Sequence, residues 1–99
     1  KMMNNENIVE ELNELVEQNL IVSHNIEKNQ IRISTLDDIV IVLDTDFSTY
    51  YKYTSSEGSN KELNTLNEKN IGRIFESFEQ LLSILSPSYT SRFNNLLFD

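Results

Sequence analysis

Asp44 and Asp46 stand one residue apart, directly after Ile39-Val40-Ile41-Val42-Leu43, a run of five apolar residues. Two carboxylates at the end of a buried strand could hold Mg²⁺, or supply a nucleophile and an acid/base to a phosphoryl group. A second pair, Asp37-Asp38, precedes the same run. The pairs lie at its opposite ends, roughly 20 Å apart at ~3.4 Å per residue, so they cannot share one ion. Aspartates also close turns by accepting hydrogen bonds from nearby backbone amides, and that structural role suits all four. His24 is the one histidine, and no serine nucleophile is fixed beside it by spacing. Sharing a face with Ile26 and Ile33, it is expected as a half-buried structural residue rather than a proton shuttle.

The apolar run entering Asp-x-Asp resembles the first motif of haloacid-dehalogenase-type phosphatases, a likeness confined to Ile39 through Asp46. That resemblance implies Asp44 as nucleophile and Asp46 as acid/base around Mg²⁺, on a parallel sheet with helical crossovers. Phe47 onward instead has the pattern of another strand, which leaves no room for a crossover helix, and no later acid pair follows a strand. A metal-dependent phosphohydrolase using Asp44 and Asp46 is therefore the third expectation. No catalytic residue, metal or cofactor is expected.

The elements that would position these residues read as a single α+β domain over residues 1–99. From a cap at Asn4 or Asn5, Ile8, Val9, Leu12, Leu15, Val16 and Leu20 fall at helical spacing. The period then changes to two, and Lys28-Asn29 forms a tight turn in which asparagine takes the left-handed conformation. That turn places Ile26 opposite Ile31 and His24 opposite Ile33. Ile39 to Leu43 lacks polar alternation and is expected to be covered on both faces, or nearly so. A fourth strand, from Phe47 or Ser48 to Thr54, carries Tyr50, Tyr51 and Tyr53. Short connections make the simplest sheet a four-stranded, mainly antiparallel meander. Ser55 to Asn60 is polar and glycine-containing, hence a loop. Ser59 with Glu62, and Thr65 with Glu68, both fit capping boxes, which allows a short helix there. A long helix follows from about Asn67, with Ile71, Ile74, Phe75, Phe78, Leu81, Leu82 and Leu85 as its stripe and Gly72 a local cost. Ser86-Pro87 starts a last helix with Tyr89, Phe93, Leu96 and Leu97 on one side, and the two C-terminal helices pack on the sheet.

Sixteen acids against eight bases give a formal charge of -8. Such a balance argues against direct nucleic-acid binding and disfavours a membrane surface, while it suits a protein partner with a basic surface. The absence of cysteine rules out disulfides. No apolar run approaches the ~20 residues needed to span a bilayer, and Lys1-Met2-Met3-Asn4 is not the apolar start of a signal peptide. A cytoplasmic setting is expected. Abundant asparagine and missing alanine suggest AT-rich coding, as in a low-GC bacterium or its phage.

Glu10, Glu14 and Glu17 share a helix face and rise ~10 Å at 1.5 Å per residue, comparable to a few phosphate steps. The leading expectation is thus a small non-enzymatic interaction protein, an inhibitor of a nucleic-acid-handling partner through a DNA-mimic-like acidic surface. In character it is similar to phage-encoded anti-CRISPR proteins. Glu10, Glu14, Glu17, Asp37, Asp38, Asp44, Asp46 and Tyr50 are the candidate partner-binding residues. The alternative is a structural or assembly module, in which the apolar C-terminal helices and the tyrosine strand build a homodimer or an aromatic docking surface for a larger partner.

Overall fold

Five antiparallel strands in the order β1-β2-β3-β4-β5 form a meander, with the helices gathered on one face. The computed structural model describes residues 5–98; the side chain of Asn5, like Asn4 before it, lies outside that description, and with them the expected N-terminal cap. In chain order the elements are α1 (Asn5–Glu17), β1 (Ser23–Glu27), β2 (Gln30–Ser34), β3 (Ile39–Thr45), β4 (Tyr51–Gly58), α2 (Lys61–Asn67), a 3-10 turn (Glu68–Asn70), β5 (Ile74–Phe75), α3 (Phe78–Leu85) and α4 (Pro87–Phe98). The expected α+β class and meander hold, with one strand more than expected.

Asn19, at φ 59, ends α1. Its amide donates to Val16 O and the Leu20 amide to Leu15 O, at 3.0 and 2.9 Å, the paired bonds of a Schellman turn. Leu20 is thereby buried just beyond the helix. At the β1–β2 turn the residue with positive φ is Lys28, not Asn29, yet the register is the expected one: Ile26 faces Ile31 and His24 faces Ile33.

β3 occupies the middle of the sheet, and its Ile39, Ile41 and Leu43 are buried against the helices. The opposite face is not roofed by a helix. Val40 is half-buried there, and Val42 is buried between Arg32 and Ser55 of the flanking strands, so the second face is nearly covered, as expected. The core joins these strand residues to Ile8 and Leu12 of α1, Tyr51 and Tyr53 of β4, Phe75, and Phe78, Leu81, Leu82 and Leu85 of α3. Tyr51 and Phe78 pack with ring centroids 4.4 Å apart.

Ser55 to Gly58 are strand, not loop. The register shifts at Val42/Leu43, so Leu43 faces Tyr53 while Val42 faces Ser55, and Thr54 is the extra residue of a bulge. Its hydroxyl donates to Val42 O at 3.1 Å. The bulge reverses the alternation, turning Ser56 inward to accept from the Tyr53 hydroxyl and donate to Asn64 Oδ1, both at 2.8 Å. A polar sequence thus continues a buried strand.

The continuous helix expected from Asn67 to Leu85 is also replaced. Gly72 adopts φ 91, its amide donates to Tyr53 O at 2.7 Å, and the Tyr53 amide returns a bond to Arg73 O at 3.0 Å. The chain must reverse here to add β5 to the sheet edge, which leaves Ile71 and Ile74 on the surface. α3 starts afresh, with Ser77 Oγ accepting from the Gln80 amide at 3.0 Å. α2 does form, capped by Asn60 rather than by Ser59 or Thr65: Asn60 Oδ1 accepts from the Leu63 amide at 3.1 Å.

Candidate partner-binding site

α1 presents Glu10, Glu14 and Glu17 to solvent because Ile8 and Leu12 fix its opposite face in the core. Glu11 sits beside them, its carboxyl pushed up by burial first and then by the charges of Glu14 and Glu79. Burial first, and then the charge of Glu11, push the Tyr51 phenol up to about 12. The field on this side is consistently negative.

The four aspartates do different work. Asp37 reaches from the β2–β3 turn to the start of α4, where its carboxylate accepts from the Ser86 hydroxyl and, at 3.0 Å, from the Ser88 amide. It therefore supplements Ser86, whose own Oγ accepts from the Tyr89 amide at 3.3 Å. Asp38, at φ 63, completes the turn. Asp44 lies on the unroofed sheet face, in register with Gln30 and Lys52.

Asp46 accepts from the amides of Ser48 and Thr49 at 2.9 and 2.8 Å, from Tyr50 at 3.4 Å, and from both hydroxyls of Ser48 and Thr49. The Thr49 hydroxyl, then the Thr49 and Ser48 amides, hold its carboxyl well below the usual range. Because the folded value lies below the unfolded one, this stabilisation is complete above the ordinary pKa of ~3.9 and is lost as pH falls through the folded value. Asp46→Ala should lower the urea midpoint at neutral pH and converge with the parent in strong acid. Asp46→Asn, which keeps an acceptor oxygen, should lose less; equal midpoints for Asp46→Ala and the parent at neutral pH would refute the role.

Asp44 and Asp46 do not form a phosphohydrolase centre. The antiparallel meander is not the crossover-built parallel sheet the resemblance requires, and Asp46 spends its lone pairs on its own turn. Among the described residues no three His, Cys, Asp or Glu side chains gather where they could hold a metal. His24 Nε2 lies 2.7 Å from Asn13 Oδ1, which ties β1 to α1. Nor does the tyrosine strand offer an aromatic docking face: Tyr51 and Tyr53 are buried and Tyr50 is half-buried.

The exposed apolar surface lies elsewhere, on α4. Tyr89, Phe93, Leu96 and Leu97 follow helical spacing. Tyr89 is 3% exposed and stacks on half-buried Phe93 at 5.8 Å, whereas Leu96 and Leu97 are 45% and 59% exposed. One stripe thus begins in the core and runs out into water. Phe98, on another side of the helix, is 84% exposed. The spacing of this stripe was visible in the sequence; its emergence from the core was not.

The family model of the GSKIP domain matches residues 3–99. The chain belongs to the GSKIP domain family. No curated protein and no solved structure matches it closely enough to add to that assignment. GSKIP domains form a eukaryotic family of GSK3-interacting proteins, which overturns the expectation of a phage-encoded, anti-CRISPR-like DNA mimic. The asparagine-rich, alanine-free composition reports base composition rather than lineage, and a glutamate ridge is also an ordinary solvated helix face. An interaction domain remains the right description: the GSKIP family binds proteins, and its partners are proteins.

Proposed function

We propose that this chain is a non-enzymatic docking module for protein kinases such as GSK3 and PKA, the partners associated with the GSKIP domain, and that it works in the cytoplasm. The observation that carries this reading is the stripe on α4, where Leu96 and Leu97 extend a core-anchored helix face into solvent. Tyr89 and Phe93 fix the helix, so its exposed part is preorganised and loses little entropy on entering an apolar groove of a partner. The ridge of Glu10, Glu14 and Glu17 supports a subsidiary contact with a basic surface, acting on encounter rate more than on final affinity.

Leu96→Asp with Leu97→Asp is the deciding variant, because both residues are exposed and neither belongs to the buried core. Titration calorimetry against purified GSK3 should show a loss of roughly a hundredfold in affinity, the scale of paired hot-spot residues, with an unchanged circular dichroism spectrum. Glu10, Glu14 and Glu17 changed together to glutamine should slow association and flatten its salt dependence. Undiminished binding by the leucine variant would overturn the reading. So would a stable homodimer that uses this stripe and excludes the kinase.

A further inference from the structure

A second surface, at the opposite end of α4, has a different chemistry. Where the end of α2, the 3-10 turn, α3 and Pro87 meet, a groove is lined by Leu63, Leu66, Ile84, Pro87, Lys69 and Arg73, with no carboxylate in its wall. Leu66 is 58% and Ile84 37% exposed. A neighbouring depression shares Leu63, Leu66 and Pro87 but carries Asp37 and Glu62. An apolar floor therefore runs from a basic end to an acidic end.

The basic end is notable in a chain of net charge -8. Among the described residues the ion pair is Arg32–Glu57, and neither Lys69 nor Arg73 has a carboxylate within ion-pair distance. Arg73 is nevertheless held in place. One guanidinium nitrogen donates to Asn70 Oδ1 at 3.3 Å, and the group lies 5.1 Å from the Phe75 ring centroid. A guanidinium has five N–H donors, so others stay free for an incoming anion.

We propose that this groove docks an amphipathic partner segment whose apolar side chains cover Leu66, Ile84 and Pro87 and whose carboxylates face Lys69 and Arg73. Two uncompensated cations beside an apolar floor select such a segment over a basic one, since Asp37 and Glu62 repel excess acid only at the far end. Pro87 and Leu97 lie ten residues apart on α4, about 15 Å at 1.5 Å per residue. The groove is thus separate from the leucine stripe, and the two surfaces can be occupied together.

The test uses the whole chain and two fluorescent probes: a short helix-forming peptide with leucines one turn apart flanked by glutamates, and the same peptide with lysines for the glutamates. The glutamate peptide should bind roughly tenfold more tightly than its counterpart, as expected for a discriminating charge contact, and should shift the amide resonances of Leu66, Lys69, Arg73 and Ile84. Lys69→Glu, at a solvent-exposed position, should erase the preference. Leu66→Ser should weaken binding of the glutamate peptide, and the Leu96→Asp, Leu97→Asp variant should bind it normally. Equal affinity for both peptides, no binding, or shifts mapping elsewhere would overturn the proposal. Self-association through this face, or binding only to vesicles of anionic lipid, would also overturn it.

Discussion

Ile41→Asp should yield no folded domain: a far-UV circular dichroism spectrum of a disordered chain and an expanded elution volume on size exclusion. Ile41 is 0% exposed and faces Ile33 on one side and Ser56 on the other, at the middle of the central strand. Removing its side chain from the core forfeits about 2–5 kcal/mol of packing and transfer free energy. A carboxyl placed there is withdrawn from water into the apolar core, where the Ser56 and Tyr53 hydroxyls already have partners, which adds several kcal/mol whether it stays charged or takes up a proton. The sum rivals the 5–15 kcal/mol total stability typical of such domains. Val40→Asp is the matched control, one residue away on the unroofed face, where a carboxylate meets water. Ile41→Val should cost only about 1 kcal/mol. If Ile41→Asp folds as well as Val40→Asp, the helices do not cover the face assigned to them.

That contrast also marks what could be read from the residues and what could not. Ile39 to Leu43 announced a central strand by composition, and the two-residue turn after Glu27 fixed the β1–β2 register. What covers its second face was hidden, because a β-branched run looks the same whether that face is roofed by a helix or, as at buried Val42, shielded by neighbouring strands. Ser55 to Gly58 looked like a loop because the bulge at Thr54 destroys the period of two that identifies a strand. From Asn67 to Leu85 the apolar spacing fits one helix, yet Gly72 ends it, for its φ of 91 is needed to pair Arg73 with Tyr53. That demand comes from the sheet edge and leaves no local signal beyond the glycine itself. The surfaces divide in the same way. The α4 stripe was legible as spacing, whereas the Lys69–Arg73 groove joins residues of several short elements that the expected long helix would have kept apart.

Gly58→Ala should destabilise the domain more than any other single methyl addition to a glycine. Gly58 has φ 136, and a Cβ there would collide with the Asp38 carbonyl oxygen and lie 3.0 Å from Ile39 Cα. Backbone, not a flexible side chain, is in the way. The displaced segment is a junction: Asp37 O accepts from Asn60 Nδ2 at 2.9 Å, Asp38 O accepts from the Asn60 amide at 3.4 Å, and the Asp37 carboxylate caps α4. Moving Asp37 and Asp38 therefore loosens the starts of α2 and α4 together. Backbone strain plus a weakened cap amount to about 3–4 kcal/mol, or a fall in melting temperature of roughly 12–30 °C for a domain of this size. Gly72→Ala isolates the conformational part, since its φ is 91 but a Cβ there meets nothing within 4 Å. It should cost only about 1–2 kcal/mol. Equal losses for the two variants, measured by denaturant unfolding, would show that the turn at Asp37 and Asp38 does not hold α4. A further consequence concerns binding: if that turn sets the direction of α4, Gly58→Ala should weaken kinase capture through Leu96 and Leu97 at temperatures where the domain is still folded, while Gly72→Ala should not.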